Sequence, residues 1–144
     1  MKNKFYLNDL SNSYIGEIQI LNQKIEFEII PNKSGLNWVE IEQFTNDLVD
    51  DHFIKLIETS KKLLLEFIKL VPFGVNEPFS VYDFRLEAIV YYGKVDNRIF
   101  SELVDGFELI FKLYHSDYAE CYSPYVHYIG RVDNKLITGI RYLI

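Results

Sequence analysis

The stretch LYHSDYAECYSPYVHY (Leu113 to Tyr128) gathers many of the side chains in this 144-residue chain that could do chemistry. It holds His115, Asp117, Glu120, Cys121 and His127, interleaved with Tyr114, Tyr118, Tyr122, Tyr125 and Tyr128. Three chemistries draw on such a set. A zinc site would use His115, Cys121 and His127, but structural zinc is usually held by closely spaced ligand pairs. Here the candidates are evenly spread and Cys121 is the lone cysteine. A Cys121–His127 nucleophilic pair requires hydrogen-bond reach. An extended chain between them spans about 20 Å, so only a reversal near Ser123-Pro124 brings them together. The third chemistry is a protein-binding surface, because tyrosine supplies area plus a hydroxyl and is enriched at interface hot spots. Its structural competitor is a buried ring whose hydroxyl stays wet. Asp50 and Asp51, adjacent at a helix start, point apart and make a poor acid–base couple. The sequence has no phosphate-cradling glycine loop, G-x-S-x-G or H-E-x-x-H. No metal, cofactor or catalytic set is expected.

Charge narrows the partner further. The net charge is −6 and the pI is near 5.0, which argues against nucleic acid as the main ligand. Between Glu40 and Glu58 stand Glu40, Glu42, Asp47, Asp50, Asp51 and Glu58 against Lys55 alone, a local balance of −5. Helix chemistry explains part of this. Asp47, Asp50 and Asp51 are expected near a helix start, where the macrodipole favours acids, and Lys61, Lys62 and Lys69 suit its far end. Asp51–Lys55 and Glu58–Lys62 are supportive pairs four residues apart. Glu40, Glu42, Asp47 and Asp50 keep no nearby cation in sequence, and such a patch steers a basic partner. The expected partner-binding residues are Glu40, Glu42, Asp47, Asp50, Asp51, Asp117 and Glu120 for charge, with Tyr118 and Tyr122 as anchors.

The elements that must position these residues alternate in period. YIGEIQILNQKIEFEIIP reads as an N-terminal hairpin: Ile15, Ile18 and Ile20 precede a polar LNQK turn, and Ile25, Phe27 and Ile29 alternate with Glu26 and Glu28. Phe53, Ile57, Ser60, Leu64, Phe67, Ile68 and Val71 then recur at three- and four-residue steps. That is one face of a long amphipathic helix starting at Asp50 or Asp51 and ending before Pro72. A shorter helical turn near Trp38 to Leu48 precedes it. From Pro78 the period returns to two, in FRLEAIVYY, RIFSELV, FELIFKLY, YVHYIGRV and KLITGIRYLI. Asp105-Gly106 reads as a tight hairpin turn. The expected architecture is α+β: an antiparallel meander with the N-terminal hairpin and one long helix on one face, residues 1–144 forming a single domain.

YYGKVDNRIF (Tyr91 to Phe100) returns as YIGRVDNKLI (Tyr128 to Ile137). Asp and Asn tolerate left-handed backbone and cap their own turns, so each copy reads as strand, turn, strand. The glycine before each valine points to a bulge or a close backbone approach. A calcium loop needs more oxygen ligands than one Asp and one Asn.

The start, MKNKFYLNDLSNS, turns polar before any apolar signal core develops, and no apolar run reaches the roughly 18 residues of a membrane span. With one cysteine, a cytoplasmic protein without membrane contact is expected. The layout resembles the small bacterial immunity proteins that neutralise polymorphic or contact-dependent toxins. The resemblance rests on the SYIGEIQILNQKIEFEII hairpin, an acidic-then-basic helix, a tyrosine-rich meander and a low pI. It implies a non-enzymatic inhibitor binding its cognate toxin, often a cationic nuclease, through acidic and aromatic surface residues. Two other readings stay open. One is a small enzyme or metal-binding domain at His115, Cys121 and His127. The other is a structural domain whose apolar final strand, ITGIRYLI, pairs with a second copy as a homodimer.

Overall fold

The computed structural model describes residues 5–32, 35–48, 51–70, 80–95, 103–113, 123–130 and 135–143. Strands β1 (Tyr6–Asn8), β2 (Ser13–Ile20) and β3 (Gln23–Ile29) come first, followed by helices α1 (Trp38–Asp47) and α2 (Asp51–Leu70). A single 3₁₀ turn (Val81–Asp83) leads into β4 (Phe84–Val95), β5 (Val104–Leu113), β6 (Ser123–Gly130) and β7 (Lys135–Leu143). The fold is α+β. The seven strands among the described residues form one sheet in sequential order.

Two expectations about this architecture need correction. Among the described residues there are two helices, of 10 and 20 residues, so the short helical turn expected near Trp38 to Leu48 is a full second helix beside the one long helix expected. The sheet is also not antiparallel throughout, because β3 and β4 run parallel. Parallel neighbours need a long crossover, and the segment containing α1 and α2 provides it. Alternation within a strand reveals its buried face, but it carries no information about the direction of the next strand when helices intervene.

Alternation on the strands produces one main buried face, with Ala88 and Val90 buried on the other. Ile29, Tyr91, Phe107 and Tyr128 stand opposite one another across β3, β4, β5 and β6, and Phe27, Ile89, Leu109 and Val126 form the next row. All eight are buried. Helix α1 covers them with Ile41 and Phe44, and α2 adds Phe53, Leu56, Ile57 and Leu64 to the same core. Phe44 stacks on Tyr91 with centroids 4.3 Å apart and also meets Phe27 and Phe107 at 6.1 and 5.2 Å. Each fully buried phenylalanine contributes about 2 kcal/mol of transfer free energy, and offset aromatic contacts add to it. Ser60 ties α2 to β6. Its hydroxyl donates to the Leu56 carbonyl at 2.7 Å, so the Tyr128 hydroxyl donates to Ser60 Oγ at 2.5 Å.

The turn between β2 and β3 consists of Leu21 and Asn22, with Ile20 paired to Gln23. Both turn residues have positive φ, 53° and 61°, the signature of a type I′ turn.

The third correction concerns Asp105-Gly106, which is no turn. Both residues lie inside β5, paired with Lys94 and Gly93 of β4. A Cβ at Gly106 would sit 3.1 Å from Val95 Cγ1, so the glycine serves close packing. The register shifts between Tyr91 and Gly93, and Gly93 has φ +82°. This is a bulge at the glycine of the first repeated motif. The VDN tips of the two copies, Asp96-Asn97 and Asp133-Asn134, lie outside the described residues, as does most of RIFSELV.

Candidate functional site

Asn37 caps α1, its side chain accepting from the amides of Val39 and Glu40 at 3.1 and 3.3 Å. With that start, Ile41, Phe44, Thr45 and Leu48 face inward, and Val39, Glu42, Gln43, Asn46 and Asp47 face solvent. Glu42 and Asp47 therefore share the outward side of a helix whose sequence, WVEIEQFTND, contains no lysine or arginine. Glu40 is half-buried on the flank, and its charge acts on Tyr91. Asp51 opens α2 and is exposed. Asp50, Asp117, Tyr118, Glu120 and Tyr122 lie outside the described residues.

Asp47 does not sit at a helix start as its sequence neighbourhood implied. Helix α1 ends at Asp47 and α2 begins at Asp51, which leaves Asp47 in the last turn of α1. An acid there meets the negative end of that helix's dipole. The outward residues of α2, by contrast, mix signs: Asp51, Glu58 and Glu66 with Lys55 and Lys62. Surface acidity on the helical layer belongs to α1.

Behind α1, the residues misread as a turn build a buried polar cluster. The Tyr91 hydroxyl donates to Asp105 Oδ1 at 2.6 Å, and Lys94 Nζ lies 3.1 Å from the same oxygen. Asp105 is 8% exposed, so both partners are needed to hold its charge away from water. Burial pushes the Tyr91 phenol well above its ordinary value, and the hydrogen bond and negative charge of Asp105 push it the same way. This tyrosine keeps its proton and acts as a donor, not a base. The adjoining cavity, between Ile29, Leu36, Glu40, Ile41, Tyr91 and Gly93, has a volume of ≈ 20 Å³. That is room for about one water molecule. The cluster organises the core under α1, and its cavity has no space for a substrate.

The sheet face turned away from the helices carries a second acidic set that sequence reading passed over. Glu17 and Glu26 stand directly opposite each other across β2 and β3, both exposed. Glu28 accepts from Ser13 at 2.7 Å, and Glu108 lies 3.0 Å from His127 Nδ1, with Tyr92 packed 5.5 Å from the imidazole. An open groove of ≈ 470 Å³ runs along Tyr6, Ile15, Gly16, Glu17 and Glu26. The signal was present in the strands: the glutamates of IEFEI alternate with its buried residues. The meeting of Glu26 with Glu17 required the register.

No protein family, curated protein or solved structure matches this chain. Its function is therefore argued from the surfaces themselves. Of the alternative centre at His115, Cys121 and His127, only His127 is described, and its partner is Glu108. Among the described residues, no group of three His, Cys, Asp or Glu side chains is placed to hold a metal ion. Among those residues, too, no helix is long and apolar enough to cross a membrane.

Proposed function

We propose that this chain is a non-enzymatic cytoplasmic binding protein of the immunity type, neutralising a cognate cationic toxin by stoichiometric association. The observation that carries this reading is the outward side of α1. Glu42 and Asp47 project from a helix with no basic residue, and Asp47 occupies a position that opposes the helix dipole. An acidic helix face accelerates encounter with a basic partner and makes association salt-dependent.

The test is co-expression with the protein encoded immediately upstream of this chain's gene. That protein should arrest growth alone, and this chain should restore growth and form a 1:1 complex. Glu42→Lys with Asp47→Lys should weaken the complex mainly by slowing association. Absence of rescue, or a complex indifferent to salt and to both charge reversals, overturns the reading.

A further inference from the structure

The open groove on the far face of the sheet combines three features that fit one ligand chemistry. The first is charge. Glu17 and Glu26 are in direct cross-strand register. Neither has an ion-pair partner among the described residues. Like charges directly opposite each other destabilise an antiparallel pair, so the isolated fold loses stability at this position. The second is shape. The groove's ≈ 470 Å³ is open on one side, large enough for a long side chain entering from another molecule. The third is its wall. Tyr6 is 63% exposed and Ile15 half-buried, both on the same face as the glutamates because Tyr6 pairs with Ile15 two residues from Glu17.

We propose that this groove docks an arginine-bearing extended segment of a protein partner, the guanidinium seated between Glu17 and Glu26 and lying against the Tyr6 ring. A guanidinium is planar and offers a fork of donors, so it bridges two carboxylates and stacks on an aromatic ring. An ammonium is a more strongly hydrated point charge and loses more on entering. Calcium takes six or more oxygen ligands as a rule, and the groove is walled by two carboxylates with apolar neighbours. The occupant is a polypeptide because Tyr6 and Ile15 give the groove an apolar wall beside the charge, which a side chain flanking the arginine covers. β1 is also the outer strand of the sheet, the place where an added extended segment pairs. This surface lies on the opposite side of the sheet from α1, so it stands or falls separately from the toxin-binding reading.

The probe is a fluorescein-labelled peptide of alternating valine and arginine, compared with the same peptide carrying citrulline, arginine's neutral isostere. Fluorescence anisotropy with the whole chain should show binding of the arginine peptide and at least ~10-fold weaker binding of the citrulline peptide. That ratio corresponds to the lower limit of a charged hydrogen bond. Glu17→Gln with Glu26→Gln should weaken the arginine peptide by a similar factor, and Glu58→Gln, exposed on α2, should leave it unchanged. The double variant relieves a like-charge pair, so its melting temperature should hold or rise, which excludes misfolding as the cause. No binding, binding insensitive to citrulline or to the double substitution, or full displacement by equimolar spermidine each overturns the proposal.

Discussion

Replacing Tyr91 with phenylalanine isolates the buried polar cluster from the packing around it. The ring stays stacked on Phe44, so the hydrophobic contribution is retained and only the hydroxyl is lost. That hydroxyl donates at 2.6 Å to Asp105, which is 8% exposed. A hydrogen bond to a charged group contributes about 1.5–3 kcal/mol. Lys94 remains at 3.1 Å and still compensates part of the charge, which places Tyr91→Phe at about 2 kcal/mol destabilising. For a chain of this size that lowers Tm by roughly 4–8 °C. Urea unfolding followed by circular dichroism should show the midpoint falling at constant m-value, which marks a change in stability with no change in the surface exposed. A cycle with Asp105→Asn should give a coupling of about 1 kcal/mol or more, because the two groups are in contact. A Tyr91→Phe protein within about 0.5 kcal/mol of the parent, the usual range for an inconsequential surface change, refutes the assignment of Asp105 as a charged acceptor.

Alkaline stability follows from the same burial. Tyr91 and Tyr128 are both raised above the ordinary 10.0, chiefly by burial. Below that pH both states keep the phenol proton and the stability is fully present; above it the unfolded chain ionises first and stability falls. Lys61, lowered mainly by burial, adds a smaller opposing rise as pH approaches 10.5, and Tyr91→Phe should flatten the alkaline decline in a pH series of melts. Ser60→Ala leaves the buried Tyr128 hydroxyl without its acceptor and should destabilise by about 1–3 kcal/mol. Adding Tyr128→Phe to Ser60→Ala should recover part of that loss in urea unfolding. Gly93→Ala forces a side chain onto φ +82° and brings Cβ to 3.0 Å from Asn32 Nδ2. The left-handed backbone alone costs about 1–2 kcal/mol, readable as a lower urea midpoint. Leu21 holds φ 53° while 61% exposed, so replacing Leu21-Asn22 by Asn-Gly should stabilise the turn by about 1 kcal/mol and raise Tm.

Residue order alone was enough for the local structure. Alternation in IEFEI assigns Ile25, Phe27 and Ile29 to one face, and all three are buried. The three- and four-residue spacing of Phe53, Ile57, Ser60 and Leu64 marks the inward side of α2, and these two periods suffice for an α+β class. The glycine of YYGKV was legible as a bulge because a glycine within a strand pattern has few other uses.

The tertiary structure decided everything that depends on which strands meet. Asp105-Gly106 has the composition of a turn, but Tyr91 and Lys94 supply Asp105 with partners across a strand pair. A buried charge with two partners outweighs a local turn preference. Asp47 changed role because α1 ends there, with Leu48 as its C-cap, a boundary that no proline or glycine marks in the sequence. The opposition of Glu17 and Glu26 is a matter of register: a slip by one residue would turn β3's apolar side chains to solvent. Long-range pairing of this kind leaves no trace in local residue order, and the surfaces proposed to meet a partner lie where it acts.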